Sequence, residues 1–480
     1  MPRVRGISLV LASALLAPLP GPEAGRDCQT IVRRYTPADR DRERYTYVPF
    51  DVSAGTTVLR VQYAYDREGG RNTIDLGLFE PGPLTLGTSA MRGYSGGSKS
   101  EVTLDGCTAT PGYRAGPLPA GRWHVMLGLY QVAPAGVDVT LTISQTRGTP
   151  CARPRAAGSV LGTRPDQHPL SDGPRWWSGA LHVHTVHSDG AETPLQVLRR
   201  AEAAGLDFVA ITDHNNTTHR DDLLRDRRSL ASAPLPILGE EVTTPAGHAN
   251  VWGLDGGEWV DFRVRPQDRR ISELTAAAHR FGALFSINHP VGECAGCSWE
   301  HDWPDGLDAM EIWNGSRGPQ DGAVQLWDRL LRQGQRVTGV GASDWHREPD
   351  PIDRPHVRVL ASRLDERAIL EAIRRGRVIV MRDARDETPH FTVTSGGRTA
   401  TVGGTIRAGT APATLEVVAA GLVAGRVVTI LSGVKLPDVV LDERGRARYE
   451  HVLKPGFVRW EVFAADGTPA AIANPVWVTP

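Results

Sequence analysis

Charge of one sign is in no excess in this sequence. Its 480 residues hold 54 lysines and arginines against 55 aspartates and glutamates, for a net charge of -1. No basic footprint therefore marks the chain as binding nucleic acid or a membrane surface. Long apolar runs are also missing. The run from Ile7 to Leu19 in "MPRVRGISLVLASALLAPLPGPEAG" is too short to span a bilayer, and no later stretch is long and apolar enough to do so. With two arginines before it, that run reads as a secretory signal peptide over residues 1–24, with a short buried N-terminal helix as the alternative. The first reading predicts a secreted or periplasmic protein with no membrane attachment once the signal is removed. Cysteine is sparse. Five residues fit an exported protein with a few disulfides. Cys294 and Cys297 form C-x-x-C in "GECAGCSW", but there is no second such motif and no thioredoxin-type βαβ context, so the pair reads as a loop disulfide. Of Cys28, Cys107 and Cys151, one is left with no assigned partner.

Apolar residues make up 40% of the chain, enough for real cores, and its length predicts two to four domains. Residues 27–145 read as strands. "TVLRVQYAY" places Leu59, Val61, Tyr63 and Tyr65 on one face, and "TIDLGLF" does the same with Ile74, Leu76 and Leu78. Period-two runs separated by Gly/Pro turns predict a β-sandwich, and "LPAGRWHVMLGLY" resembles bacterial pre-peptidase-type modules over one strand. Residues 146–175, rich in Pro, Gly and Arg, read as a linker. From 176 to 382 short apolar runs alternate with helical stretches such as "TPLQVLRRAEAAG", "ISELTAAAHRFG", "AVQLWDRLLRQG" and "DERAILEAIRRG". Thr193 and Pro194 supply an N-cap and N1 proline, and Gly205, Gly282 and Gly334 supply C-terminal stops. Such β-α repetition predicts an α/β fold with a parallel sheet or barrel. Residues 386–480 return to strands and predict a second sandwich-like module.

Histidine is concentrated. Twelve of the 15 lie between His168 and His356, a span of under half the chain. "ALHVHTVHSDG" holds His182 and His184 two apart, which on a strand puts both rings on one side, roughly 6.5 Å apart. Further ligand-type residues fall at the ends of other predicted strands, Asp213 and His214 in "ITDHN", Glu240 and Glu241 in "GEEVTT", His289 in "NHP", and Asp344 and His346 in "SDWH", while His248 in "GHAN" opens a strand. Catalytic residues of α/β barrels occupy such ends. Each alone could be a capped or packed core residue; five strands each ending in one is a joint pattern that points to metal. His187, His219, His279 and His301 are expected on loops or helix surfaces, outside it. Adjacent strand residues face opposite ways, so only one of Glu240 and Glu241 can join.

The order H-x-H-x-x-x-x-S-D-G, I-T-D-H, G-x-E, G-H, N-H-P and D-W-H resembles the polymerase and histidinol phosphatase (PHP) superfamily, and within it the carbaryl-hydrolase-like CehA/McbA branch, from Gly179 to about Val380. The resemblance implies a distorted (β/α)7 barrel, here flanked by the two β-sandwich-like domains, and two or three divalent ions. His182, His184, Glu241 and Asp344 would hold the first. Glu241 would bridge to a second, held also by His248 and His289. Asp189, His214 and His346 would hold a third, with Glu240 as an alternative to Glu241 and with Asp189 standing where some members carry a histidine.

Imidazole and carboxylate ligands suit manganese, iron or zinc. Paired ions acidify a shared water, so the expected chemistry is hydrolysis by a metal-bridged hydroxide, with Glu241, Asp344 and His346 as the catalytic side chains and Asp344, His346 or a second water passing the proton to the leaving group. No serine lies in a nucleophile-elbow sequence. The preferred substrate is a phosphoester, either a small molecule, a nucleotide or an oligonucleotide end. Arg317 in "WNGSRG" and Arg347 in "DWHREP" are candidate clamps, although either could be a solvated loop arginine. Trp299, Trp303, Trp313 and Trp345 could stack on a base or an aryl group, or pack the loops. A carbamate or carboxylic ester hydrolase is the second reading, and a non-catalytic surface-binding protein the third. The oligomeric state is not legible.

Overall fold

Alternating apolar side chains set the architecture of the first third of the chain. The computed structural model describes residues 26–151, 173–230, 233–254, 256–294, 296–384 and 386–480. The signal-peptide segment and most of the expected linker lie outside these. Strands β1 (Arg26–Tyr35), β2 (Tyr45–Val52), β3 (Thr56–Tyr65), β4 (Thr73–Phe79), β5 (Met91–Gly96), β6 (Glu101–Asp105), β7 (Gly121–Gln131) and β8 (Val137–Arg147) form two antiparallel sheets, ordered β1-β8-β3-β6 and β2-β7-β4-β5. Leu59, Val61 and Tyr63 of one sheet and Ile74, Leu76 and Leu78 of the other meet in one shared core. Helix α1 (Pro37–Arg42) joins β1 to β2 behind a Thr36 capping box. A Cys107–Cys151 disulfide ties the loop after β6 to the end of this region, and Cys28 is free and exposed.

The middle of the chain is mixed α/β. Its strands are β9 (Arg175–Ala180), β10 (Phe208–Ile211), β11 (Leu235–Thr244), β12 (Gly247–Trp252), β13 (Leu284–Ile287), β14 (Ala309–Asn314), β15 (Thr338–Ala342), β16 (His356–Ala361) and β17 (Val378–Met381). Its helices are α2 (Pro194–Ala203), α3 (His219–Arg225), α4 (Ile271–Arg280), α5 (Asp321–Arg332) and α6 (Glu366–Arg374). The α2 helix opens on the expected Thr193 cap, completed by Gln196, with Pro194 at N1. Buried Trp327 fixes α5 on the sheet: its Nε1 donates to the Val337 carbonyl at 2.8 Å, and a Cβ on Gly339 would run into the indole.

The sheet runs β15-β14-β13-β12-β11-β10-β9-β16-β17. It differs from the expected barrel in two ways. First, it is not parallel throughout: β9, β10 and β11 are parallel neighbours, as are β13, β14 and β15, but β12 is antiparallel to both its partners and β16 to both of its own. Second, it does not close. A strand has two edges, and β17 gives one to β16 and the other to a strand of the C-terminal region, leaving none for β15. The β15 backbone still approaches β17, where a Cβ on Gly341 would collide with Val380. The buried Asn474 amide bridges the gap. It donates to the Gly339 carbonyl (2.7 Å) and the Val378 carbonyl (3.0 Å), and accepts from the Gly339 N–H (2.8 Å).

The C-terminal strands are β18 (His390–Ser395), β19 (Arg398–Thr401), β20 (Thr405–Arg407), β21 (Ala413–Val418), β22 (Arg426–Leu431), β23 (Val434–Lys435), β24 (Val439–Val440), β25 (Arg446–His451), β26 (Gly456–Phe463), β27 (Pro469–Ala473) and β28 (Val476–Thr479). One layer is the sheet β19-β18-β21-β25. The other, led by β27-β26-β22, continues the central sheet through β17, so no break in the sheet occurs near residue 386. Phe391 stacks on Trp460 between the layers, ring centroids 5.2 Å apart. Buried Arg459 on β26 forks onto Asp328 of α5 with two 2.7 Å hydrogen bonds and locks this layer against the α/β region.

Candidate metal centre

Parity and strand direction bring the ligand-type residues together. Beyond β9 the chain stays extended, with Val183 buried and the rings of His182 and His184 on the other side, centroids 5.0 Å apart. On β11, Glu241 points into the mouth of the sheet, while its neighbour Glu240 points away and accepts from the Val260 N–H at 2.7 Å. Of the two glutamates, Glu241 is the one that faces the histidines. His248 stands at the start of its strand, and it reaches the same mouth because β12 runs antiparallel to β11. His289 follows β13 and Asp344 follows β15. Asp189 arrives on a tight turn in which Gly190 leaves no space for a side chain beside the His184 carbonyl. Asn215, His289 and Asp344 all have positive φ (54°, 24° and 52°), conformations that non-glycine residues rarely hold.

All nine expected ligands gather around one point, with Glu241 at its centre. Glu241 Oε1 lies 3.2 Å from His182 Nε2, 3.2 Å from His248 Nδ1 and 3.5 Å from His289 Nε2. Its Oε2 lies 2.7 Å from His214 Nδ1 and 3.6 Å from His184 Nε2. Asp344 Oδ1 is 3.2 Å from both His182 Nε2 and His184 Nε2. On the far side, Asp189 Oδ1 is 3.3 Å from His346 Nε2 and 3.6 Å from His214 Nε2. Three sets of atoms close enough to share an ion result: His182, His184 and Asp344; His184, Asp189, His214 and His346; and His248, His289 and Cys297. In the second, His184 joins the trio expected at the third ion.

The residues fit divalent cations on evidence independent of sequence. His182 Nε2, Asp189 Oδ1, both ring nitrogens of His248 and Nδ1 of His289 are buried without a hydrogen-bond partner. Buried polar atoms are normally satisfied, and orphans converging on one place mark a site for something that accepts their lone pairs. Electrostatics agree. Burial alone would raise the Glu241 carboxyl, but His182, His214 and His248 hold it well below the usual range. Asp344 is held low against the same burial penalty by His182, His184 and His346. Against burial, Glu241 and Asp189 push the His214 ring up to about 9, while burial with His346 and His214 presses His184 down to about 4. The carboxylates that push His182 and His214 up would equally attract a cation, and binding one would be coupled to loss of any proton held there.

A supporting shell was missed in the sequence. Glu311, buried on β14, accepts from His182 Nδ1 (2.8 Å), from the His289 N–H (2.8 Å) and from Asn314 Nδ2 (2.9 Å). It fixes His182 in the tautomer whose Nε2 lone pair faces the cluster, the usual role of a carboxylate behind a metal-binding imidazole. A charge inside the apolar run "AMEIWN" was the available signal. Asn288 Nδ2 donates to Glu241 Oε1 at 2.8 Å. Asp213 is turned away from the cluster, bonded to Thr185, Ser188 and His219. His187 and His219, expected at the surface, are buried in this layer, and His301 is buried on Thr244; only His279 is exposed, paired with Asp308. From the N-terminal sheets Ser98 and Lys99 donate to the Ser188 carbonyl at 2.9 and 3.3 Å.

A cavity of about 450 Å³ opens beside His289 and Asp344, lined also by Asn314, Arg317, Cys294 and Arg354. Arg317 therefore faces the mouth. Arg347 does not line it, and instead donates to the Asp189 carbonyl at 2.8 Å. Trp313 and Trp345 are buried packing residues.

Residues 180–287 match the PHP domain family. The PHP segment supplies six of the nine clustered side chains; Asp344 and His346, and His289 just past its edge, complete the set only in three dimensions. An uncharacterized protein of Methanocaldococcus jannaschii is 26% identical over 147 residues, covering 28% of this chain and 80% of that protein. Two solved structures align at 20% identity. One is a two-domain protein of Bacteroides vulgatus containing a predicted PHP-like metal-dependent phosphoesterase, with TM-score 0.37 over 64% of this chain and 98% of that one. The other, from Bifidobacterium adolescentis, is described as a metal-dependent phosphoesterase, with TM-score 0.28 over 42% of this chain and 98% of that one.

Proposed function

We propose that this protein is an exported metal-dependent hydrolase of the CehA/McbA type within the PHP superfamily, acting on a phosphoester of a small molecule, a nucleotide or an oligonucleotide end. The observation that carries the reading is Glu241, whose two carboxylate oxygens each face imidazoles from different strands at 2.7–3.6 Å. His182, His184 and Asp344 would hold one ion; Glu241, His248 and His289 a second; Asp189, His214 and His346 a third. Manganese, iron or zinc suits this nitrogen and oxygen set. Bound there, such ions acidify water and neutralise charge on substrate oxygens. Arg317 and Arg354, on the cavity wall beside Asp344, supply cationic donors of the kind that orient a phosphoryl group. Asp344 lines the cavity, and Asp344 or the neighbouring His346 would pass a proton to a departing oxygen. Glu311 and Asn288 hold His182 and Glu241 in register.

The test is metal analysis of the purified protein followed by rates on p-nitrophenyl phosphate, bis-p-nitrophenyl phosphate and an aryl carbamate. Hydrolysis of either phosphate, lost with bound metal in His182→Ala, is expected. Turnover of the carbamate alone would replace the phosphoester reading with ester hydrolysis. Full metal occupancy with no turnover of any of the three would favour a binding protein. A metal-free, fully active His182→Ala would overturn the scheme.

A further inference from the structure

The Cys294–Cys297 disulfide sits against the metal centre and has no part in the reading above. Its two sulfurs differ. Cys294 is exposed and lines the cavity mouth, whereas Cys297 is buried. The Cys297 sulfur and ligand nitrogens of His248 and His289 lie within 4.8 Å of one another. Glu241 Oε1 is 3.2 Å from His248 and 3.5 Å from His289. The Cys297 sulfur thus shares one small volume with the two imidazoles that Glu241 also contacts, although Glu241 itself lies outside that 4.8 Å group, and it cannot ligate as a thiolate while it is bonded to Cys294.

As a staple the bond does little. A disulfide stabilises mainly by restricting the unfolded chain, and the effect shrinks with the loop it closes; this one joins residues three apart. The loop is already anchored by other bonds. The Gly247 N–H donates to the Gly296 carbonyl (2.9 Å), Trp299 N–H to the Pro290 carbonyl (3.0 Å), Glu300 N–H to the Ala246 carbonyl (2.9 Å) and Ser298 Oγ to the Gly292 carbonyl (2.6 Å). A Cβ on Gly292 would collide with that of Cys297. The sulfur therefore stays beside the two imidazoles when the disulfide opens.

We propose that Cys297 is a reserve metal ligand: reduction of the Cys294–Cys297 disulfide delivers its thiolate to the ion at His248, His289 and Glu241 and closes that site. The inference rests on the metal-centre reading above. The reductant is a dithiol. One of its thiolates attacks exposed Cys294, the Sγ–Sγ bond breaks, and Cys297 leaves as a thiolate toward the ion. The second thiol of the reductant then resolves the mixed disulfide. Two electrons pass to the protein, the reductant ends as a disulfide, one proton remains on Cys294 and one is released. Attack at the exposed sulfur follows from access, and thiolate is a strong ligand for zinc and cobalt. Three protein ligands with an open position make a catalytic site; four make a closed, structural one. The oxidised protein is thus the hydrolytic form.

The experiment loads the full chain with cobalt(II) in two states, as isolated and after reduction with tris(2-carboxyethyl)phosphine and desalting, since a phosphine adds no thiolate of its own. Expected is a sulfur-to-cobalt charge-transfer band in the near ultraviolet that is absent before reduction and present after it, with loss of turnover. Cys294→Ser should show the band without reductant. Cys297→Ser should show it in neither state, although Cys28, Cys107 and Cys151 remain. Full cobalt stoichiometry without the band in reduced wild type, or a band that survives in Cys297→Ser, overturns the proposal and leaves the metal centre standing. Failure to bind cobalt in either state overturns both.

Discussion

Glu311→Gln isolates the contribution of the buried carboxylate behind the metal centre. The glutamate meets three donors: the His182 ring on Oε1, and the His289 N–H and the Asn314 amide on Oε2. Glutamine keeps one oxygen and gains an NH2, so one side must fail. If the NH2 faces His182, the ring must present its Nδ1 lone pair and protonate Nε2, the atom 3.2 Å from both Glu241 and Asp344, and His182 is lost as a ligand. If the NH2 faces the other way, two buried donors lose their acceptor at about 1–3 kcal/mol, and His289, a second ligand, is released from its strained backbone. Either outcome weakens metal binding. Removing an outer partner of this kind typically costs 10–100-fold in affinity, or about 1.4–2.7 kcal/mol. Competition against a chromogenic chelator measures the affinity, and a melting curve of the metal-stripped variant shows that it folds. A folded Glu311→Gln protein with wild-type metal affinity would refute this account of the second layer.

Three further outcomes are expected. Glu241→Gln should lose bound metal, while Glu240→Gln, one residue away but facing Val260 with its carboxyl pushed well up by burial, should retain it; metal analysis of the pair tests the parity of β11, and equal losses would contradict it. Burial, aided by Arg358, presses the His356 ring down to about 3, while an unfolded histidine titrates near 6.5. Between these values the unfolded state carries the extra proton, so stability is full above pH 6.5 and falls as the pH drops. His356→Gln should flatten the dependence of unfolding free energy on pH across that window by about 1.4 kcal/mol per pH unit, and unchanged slopes in denaturant titrations would rule the effect out. Arg317→Ala should raise KM for p-nitrophenyl phosphate more than it lowers kcat, because the residue lines the cavity but is not one of the clustered ligands; a loss confined to kcat would contradict a substrate-binding role.

The site was more legible in the sequence than the sheet that carries it. Ligand atoms declare themselves by residue type and by spacing of one or two, which is why His182 with His184, and Asp344 with His346, stand out. What surrounds them does not. Glu311 shows in the sequence only as a charge inside the apolar run "AMEIWN", with nothing to say that His182 stands in front of it, and buried His187 and His219 carry no pattern that separates them from exposed histidines. Strand direction was the other gap. Periodicity identifies β12 as a strand but is blind to its running antiparallel, and that direction alone puts His248, a strand-initial residue, at the common mouth. Closure of the barrel was misjudged for a related reason: hydrophobic pattern says which face of a strand is buried, not which neighbour takes each edge, and β17 spends its second edge on β27.

Backbone strain supplies an argument that owes nothing to ligand chemistry. Asn215, His289 and Asp344 follow three different strands, are far apart in sequence, and each holds a positive φ. Such conformations cost on the order of 1–3 kcal/mol apiece and persist only where surroundings over-determine them. Here the restraints are visible. Asn215 donates from its backbone to the Glu241 carbonyl at 2.9 Å and from its amide to the Thr243 carbonyl at 3.1 Å. The His289 N–H is held by Glu311, and the Asp344 carbonyl accepts from His346 Nδ1 at 2.8 Å. Packing alone gives no reason to bend three strand ends into the same unfavourable region. Turning the side chains of His289 and Asp344 inward, and the Glu241 strand toward His214, is what the bends accomplish, so the fold bears the strain where it assembles the centre.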